Sequence, residues 1–165
     1  MNEAQRLVDL IPRLRRYARA LVNDRASADD LVQDTLERAW AKLHLYRRGT
    51  DLRAWLFTVM HNVHVNKVRS ARATDPLDDE MPELAQRAAQ GDSLVVRDLD
   101  RAIARLPDEQ RAVLLLVTLE EMSYDQVAHA LGIPIGTVMS RLSRAREKLR
   151  AMMLGQSAAK LKVVK

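Results

Sequence analysis

The stretch from Ser123 to Arg150 constrains the fold of this chain more than any other segment. Ser123, with Gln126 three residues later, forms a capping-box pattern that predicts the sharp start of a short helix. Gly132 can adopt the positive φ that ends such a helix, and a final helix is predicted from about residue 136 to residue 152. Two short helices joined by a tight glycine turn predict a helix-turn-helix.

Apolar residues of the final predicted helix form one stripe, made of Val138, Leu142, Ala145 and Leu149. The 3.6-residue period turns a polar set outward together, namely Thr137, Ser140, Arg141, Arg144 and Lys148. The planar fork of arginine can grip guanine O6 and N7, whereas lysine pairs more naturally with phosphate. This face therefore predicts contact with the major groove of DNA, and a solvated basic helix is the alternative.

Three further helices are predicted in the first seventy residues, where apolar side chains recur at helical spacing. Ser27 and Thr50 are the predicted N-caps of the second and third helices. Trp40 falls on the apolar face of the second helix and Trp55 on that of the third, where core packing is favoured over base stacking. Aromatic residues are scarce and only five Gly and five Pro interrupt the pattern, so we predict an all-α fold.

Charge divides the chain into three segments. Residues 1–72 hold 14 Lys/Arg against 8 Asp/Glu, residues 73–96 hold 1 against 6, and residues 97–165 hold 12 against 8. In the middle segment the helical periodicity also fails, a pattern typical of a flexible linker. Each basic block can face a polyanion, although ordinary solvated helix surfaces remain the alternative. The predicted organisation is a first domain over 1–72, a flexible acidic linker over 73–94, a helix-turn-helix domain over 95–154 and a disordered tail over 155–165.

Several classes of function are disfavoured by what the sequence lacks. There is no cysteine, so disulfides and thiolate metal sites are excluded and the composition fits the cytoplasm. No apolar run approaches the ~18 residues that a membrane-spanning segment needs. The sequence also contains neither a Gly-rich phosphate loop nor a nucleophile motif, so a catalytic function is disfavoured. His61 and His64 have a spacing that can share a metal, but no third ligand lies near, so neither a metal nor a cofactor is predicted.

Three motifs follow one another along the chain. They are ADDLVQDTLERAW at 28–40, LRAWLF at 52–57, and LPDEQR at 106–111 with GIPIGTV at 132–138 and SRLSRAR at 140–146. In this order they resemble the core-binding helix, the start of the promoter-melting region and the second DNA-binding domain of the extracytoplasmic-function (ECF) sigma factors of bacterial RNA polymerase. The resemblance covers nearly the whole chain. It implies a subunit that binds core polymerase and directs promoter-specific initiation through a sigma-two and a sigma-four domain.

The resemblance also implies roles for individual residues. Asp30, Gln33 and Asp34 would bind the coiled coil of the polymerase β′ subunit, with β as a further contact. The minus-ten element would be read around Asn62, in a set that comprises Trp55, His61, His64 and Asn66, with Lys67, Arg69 and Arg72 along the phosphates. The minus-thirty-five element would be read by Ser140, Arg141 and Arg144, with Thr137 and Lys148 on the backbone. Met139 departs from the family, many members of which carry Lys or Arg there, and an anti-sigma protein is an expected partner.

Two other classes of protein remain open from the residues alone. A helix-turn-helix regulator would bind duplex DNA without being a polymerase subunit, and would be expected to dimerise or sense a ligand through its first seventy residues. An interaction module would use its basic faces to bind an acidic protein and would not bind DNA at any salt concentration.

Overall fold

The computed structural model describes residues 2–74 and 94–163, with side chains described for 2–73 and 94–155. Every regular element in these two stretches is helical, which confirms the predicted all-α fold. The elements are α1 (Glu3–Val22), α2 (Arg25–Ala41), a short 3₁₀ helix (Leu43–Leu45), α3 (Leu52–Thr74), α4 (Leu94–Ala104), α5 (Asp108–Thr118), α6 (Tyr124–Leu131) and α7 (Ile135–Val163). The predicted linker lies outside the described residues, except at 73, 74 and 94, which are helical.

Helices α1 to α3 form a bundle around large aliphatic side chains. Leu14, Leu31, Leu56 and Met60 are at most 1% exposed. α1 continues through Pro12 and ends where Asn23 adopts the left-handed conformation, with φ of 55°. This end is where the Asn23-Asp24 pair predicts it, because Asn tolerates positive φ better than most residues.

The N-caps of α2 and α3 differ from the predicted ones. Asp24, not Ser27, caps α2, and its carboxylate accepts hydrogen bonds from the Ser27 backbone N–H (3.1 Å) and hydroxyl (2.6 Å). At the start of α3 the Asp51 carboxylate accepts from the backbone N–H three residues on (3.3 Å), while the Thr50 hydroxyl turns back to a preceding carbonyl. A carboxylate at a helix start is favoured because it also interacts with the positive end of the helix dipole.

Two further predictions are wrong. Trp40 is 64% exposed, because its neighbour Ala39 takes the inward position and successive helical residues point about 100° apart. The last helix does not stop at residue 152 but continues to Val163. The sequence beyond Gly155 contains Ala, Leu and Lys, which are good helix formers, so the ~1 kcal/mol cost of one glycine does not end the helix there.

The predicted helix-turn-helix is confirmed in detail. Ser123 Oγ accepts from Gln126 N (3.1 Å) and Gln126 Oε1 accepts from Ser123 N (3.0 Å), which completes the capping box of α6. Gly132 ends α6 with φ of 66°. On α7 the side chains of Val138, Leu142 and Ala145 are buried as the stripe predicts.

The helices before and after the acidic segment pack directly against each other. α4 and α5 lie on α1, and α6 lies on α3. The buried side chains of the two groups form one continuous hydrophobic core that includes Leu7 at one extreme of the sequence and Ala145 at the other. This contact places the outer surface of α3 next to the helix-turn-helix.

Candidate nucleic-acid interface

The outward face of α7 is the first candidate surface. Ser140, Arg144 and Lys148 are exposed, and Thr137 is half-buried at the start of the helix. Arg141 is different, because its guanidinium lies 3.6 Å from the Glu109 carboxylate and its side chain is only 25% exposed. Four of the five predicted residues are therefore accessible or partly so, and the fifth is engaged by α5.

The second candidate surface lies on α3 and faces α5 and α7 across a groove of about 780 Å³. Five predicted minus-ten residues line this groove, namely His61, Asn62, Asn66, Arg69 and Arg72. Arg141 lines the opposite wall. Residues predicted for two different promoter elements therefore share one groove.

His64 does not lie on an open surface. The residue is 6% exposed, and its Nε2 lies 3.0 and 3.1 Å from the two carboxylate oxygens of Asp108, the first residue of α5. Because an ionised carboxylate only accepts, the imidazole N–H is the donor. Burial alone would raise the pKa of Asp108, but the hydrogen bond from His64 and the charges of His64 and Arg111 lower it below its usual value.

His61 is partly buried beside the same contact. Burial lowers the pKa of the His61 imidazole, and positive charge on His64 and Arg141 acts in the same direction, while Asp108 opposes it. His61 therefore favours its neutral form, in which one ring nitrogen donates and the other accepts. A neutral imidazole can hydrogen-bond a base edge without a strong attraction to phosphate.

The acidic residues predicted to bind polymerase lie on α2, against the side of α3. Gln33 and Asp30 are exposed, and Asp34 is partly exposed. The Lys67 ammonium of α3 pairs with Asp30 (2.5 Å) and Asp34 (2.6 Å). These hydrogen bonds raise the pKa of Lys67 and hold it on the acidic surface.

Trp55 packs partly buried against the core, with its ring 5.6 Å from that of Tyr46. Two basic residues that the sequence patterns did not single out, Arg38 on α2 and Lys42 at the C-cap of that helix, also line the groove. Their spacing of four residues on a helix is the signal that could have found them, because i and i+4 side chains share a face.

Two negative findings concern the described residues. Within residues 2–74 and 94–163 no helix is long and apolar enough to cross a membrane. In the same stretches no three side chains of the ligating types His, Asp and Glu come together where they could hold a metal ion.

Comparisons with known proteins cover both groups of helices. A family model described as the Sigma2 domain of PhyR matches residues 7–61, and one described as Sigma-70, region 4 matches residues 97–149. The ECF RNA polymerase sigma factor EcfG of Rhodopseudomonas palustris (strain TIE-1) is 36% identical over 145 residues, which are 87% of this chain and 80% of that protein.

Solved structures of similar proteins support the fold. The sigma factor RpoE from Bartonella quintana, in a co-crystal structure with the anti-sigma factor NepR, is 36% identical with a TM-score of 0.81, over 91% of this chain and 95% of that one. The PhyRSL–NepR complex from Sphingomonas sp. Fr1 is 26% identical with a TM-score of 0.67, over 93% of this chain and 90% of that one.

The two helical groups and the two family matches together define a sigma-type transcription initiation factor, which is a DNA-binding protein. Because its relatives are 36% identical over most of both chains, the chain belongs to the ECF RNA polymerase sigma factors. Family membership implies RNA polymerase and promoter DNA as partners. It also decides against a conventional helix-turn-helix regulator, since the ECF sigma factor EcfG matches 87% of this chain and not the helix-turn-helix domain alone.

Proposed function

We propose that this chain binds core polymerase through α2, reads the minus-ten element with α3 and reads the minus-thirty-five element with α7. The observation that carries the proposal is the exposed polar face of α7, where Ser140, Arg144 and Lys148 stand over the buried stripe of a helix-turn-helix. The N-terminal part of such a second helix is the part that reaches base edges in the major groove. Ser140, Arg141 and Arg144 are the base-reading residues, and Thr137 and Lys148 contact the DNA backbone.

The contact with polymerase is assigned to the β′ coiled coil. Asp30 and Asp34, with the neutral Gln33 beside them, form an accessible acidic surface that suits a basic partner. Charge reversal by Asp34→Arg should weaken core binding, whereas Asp9→Arg on α1 is the matched control and should leave it unchanged. An unaltered affinity of the Asp34 variant would move the core contact elsewhere.

The test of promoter reading is run-off transcription by reconstituted holoenzyme on a promoter library. Selective initiation on a subset of sequences supports the proposal. Arg144→Ala should relax discrimination at one or two minus-thirty-five positions by about 5- to 150-fold, because a bidentate guanine contact is worth ~1–3 kcal/mol. Arg150→Ala removes an exposed charge from the same helix and should leave sequence preference intact. An unchanged preference for Arg144→Ala would refute the assignment.

An anti-sigma protein is the proposed regulator. Both structural relatives described above are complexes with an anti-sigma factor or with NepR. This chain also exposes large apolar side chains that a partner could cover, including Trp40 and Leu45 on the first group and Leu94 and Val95 on the second. Affinity purification under inducing and non-inducing conditions tests the proposal, and failure to recover one specific partner in either would contradict it.

A further inference from the structure

The C-terminal end of α2 lies beside the segment of α3 that is proposed to read the minus-ten element. The Lys67 ammonium of α3 pairs with Asp34 (2.6 Å) on α2. Arg38 on α2 and Lys42 at the C-cap of that helix line the groove together with Asn62, which precedes Lys67 on α3. The order of residues is therefore opposite on the two helices, so α2 and α3 are antiparallel and the two cations lie toward the start of α3.

Arg38 and Lys42 are both available to bind an anion. Their side chains are exposed, and neither forms an ion pair with a carboxylate among the side chains that the structure describes. By contrast, Lys67 and Arg141 are held by carboxylates of α2 and α5. Residues four apart on a helix share a face and lie about 6 Å apart along its axis. The two cations can therefore bind neighbouring phosphates of one strand without first breaking an ion pair.

Polar side chains on this wall of the groove come in three pairs, which are a cationic pair, an amide pair and a second cationic pair. The pairs are Arg38 with Lys42, Asn62 with Asn66, and Arg69 with Arg72. The first pair lies beside the amides and toward the start of α3, whereas the last pair follows them along α3, where the helix rises about 15 Å from Asn62 to Arg72. Amides can hydrogen-bond base edges, while cations suit phosphates. A strand along this wall therefore meets cations on both sides of the amide pair.

We propose that Arg38 and Lys42 bind phosphates of the opened promoter strand, on the opposite side of the base at Asn62 from the phosphates bound by Arg69 and Arg72. The inference rests on the proposed reading of the minus-ten element by α3. Phosphate contacts fix the register of a strand but carry no sequence information, so the two cations position the base that the amides read.

The first experiment measures the salt dependence of binding between reconstituted holoenzyme and a fork-junction probe whose minus-ten element is single-stranded. Each phosphate contact of a single strand contributes about 0.7 to the slope of log affinity against log salt concentration. Arg38→Gln/Lys42→Gln removes two contacts and should lower the slope by about 1.4, which is roughly 25-fold weaker binding at about 0.1 M salt if the affinities converge near 1 M. Base preference within the minus-ten element should not change.

Two control variants accompany this measurement. Arg13→Gln/Arg15→Gln removes the same charge from exposed positions of α1 and should leave the slope at its wild-type value. Arg38→Lys keeps the charge on α2 and should also retain the slope, because counterion release depends on the charge that meets the phosphate. Both target side chains are exposed, so their replacement removes no core packing.

An unchanged slope for Arg38→Gln/Lys42→Gln overturns the inference. An equal loss of affinity for core polymerase without DNA overturns it as well, because the two cations would then contact polymerase. Arg69→Gln/Arg72→Gln separates the inference from the proposed function. If this variant lowers the slope and the α2 variant does not, α3 still reads the minus-ten element and only the inference fails. If neither variant lowers it, the assignment of α3 to the minus-ten element fails too.

The second experiment maps the path of the strand. The sequence has no cysteine, so Lys42→Cys and Arg72→Cys each provide a unique site for an iron chelate that cleaves nearby nucleic acid. The base at Asn62 is first identified as the minus-ten position where Asn62→Ala relaxes preference. On the opened promoter, cleavage from positions 42 and 72 should be centred on opposite sides of that base. Cleavage from position 42 that misses this strand, or that falls on the same side as cleavage from position 72, would contradict the proposed path.

Discussion

Arg111 shows how much a single side chain can contribute to this fold. Its guanidinium donates to four carbonyl oxygens, those of Leu21 (2.7 Å), Ile103 (3.1 Å), Ala104 (2.9 Å) and Leu106 (2.6 Å). Arg111→Ala should lower the free energy of unfolding by about 3 kcal/mol, because buried acceptors left without a donor each cost roughly 1–3 kcal/mol and water will satisfy some of them. Urea unfolding measures this, with Arg105→Ala as an exposed control. A loss below about 1 kcal/mol would contradict it.

His61 should contribute to the pH dependence of the stability of the chain. Its pKa is lowered in the folded chain, mainly by burial, from an ordinary value of 6.5. Below about pH 6.5 the unfolded chain therefore binds a proton at His61 more readily than the folded chain does. The free energy of unfolding should consequently be highest above this pH and should fall as the pH is lowered below it. Urea midpoints between pH 7.5 and 5, compared with those of His61→Gln, measure the difference. A variant that follows the same pH curve as the wild type would assign the dependence to other groups.

At the scale of helices and turns, two glycines of the helix-turn-helix provide a matched pair. Gly132 has φ of 66°, Gly136 lies in the first turn of α7, and an added Cβ would meet no atom within 4 Å at either position. Gly132→Ala should destabilise the chain by ~1–2 kcal/mol through left-handed backbone strain. Gly136→Ala should be neutral or stabilise it by up to ~1 kcal/mol, because alanine is the better helix former. Thermal unfolding measures both changes. If the two variants changed the melting temperature by the same amount and in the same direction, the strain explanation would be contradicted.

The pairing of α2 with α3 carries a second prediction at this scale. Lys67 holds Asp30 and Asp34, which are the carboxylates proposed to bind polymerase. Partly exposed ion pairs contribute ~0–1 kcal/mol, so Lys67→Gln should strengthen binding to core polymerase by up to about 5-fold. Lys42→Gln, at the C-cap of α2, removes an equal charge from the groove and should leave core binding unchanged. Weaker core binding by Lys67→Gln would show that the lysine itself contacts polymerase.

The same elements show what the sequence could and could not predict. The capping box at Ser123 and the turn at Gly132 were predictable, because their chemistry lies within a few residues of chain. The caps of α2 and α3 were misplaced by a few residues, since Ser and Thr compete with a nearby Asp for the same role. The contact of His64 with Asp108 joins residues 44 positions apart and depends on how α5 docks on α3, which no local pattern records.

At the scale of the whole molecule, the shared core leads to a thermodynamic prediction, together with the hydrogen bonds that Arg16 and Arg53 of the first group donate to carbonyls of the loop between α5 and α6. Two domains joined by a linker alone would unfold independently, whereas a continuous core with directional bonds across it couples them. Differential scanning calorimetry of the wild type should show one transition, with a van't Hoff enthalpy close to the calorimetric one. Arg16→Ala/Arg53→Ala should broaden or split this transition, while the exposed pair Arg13→Ala/Arg15→Ala should not. Two resolved transitions in the wild type would mean that the two groups of helices unfold separately and that their contact contributes little to stability.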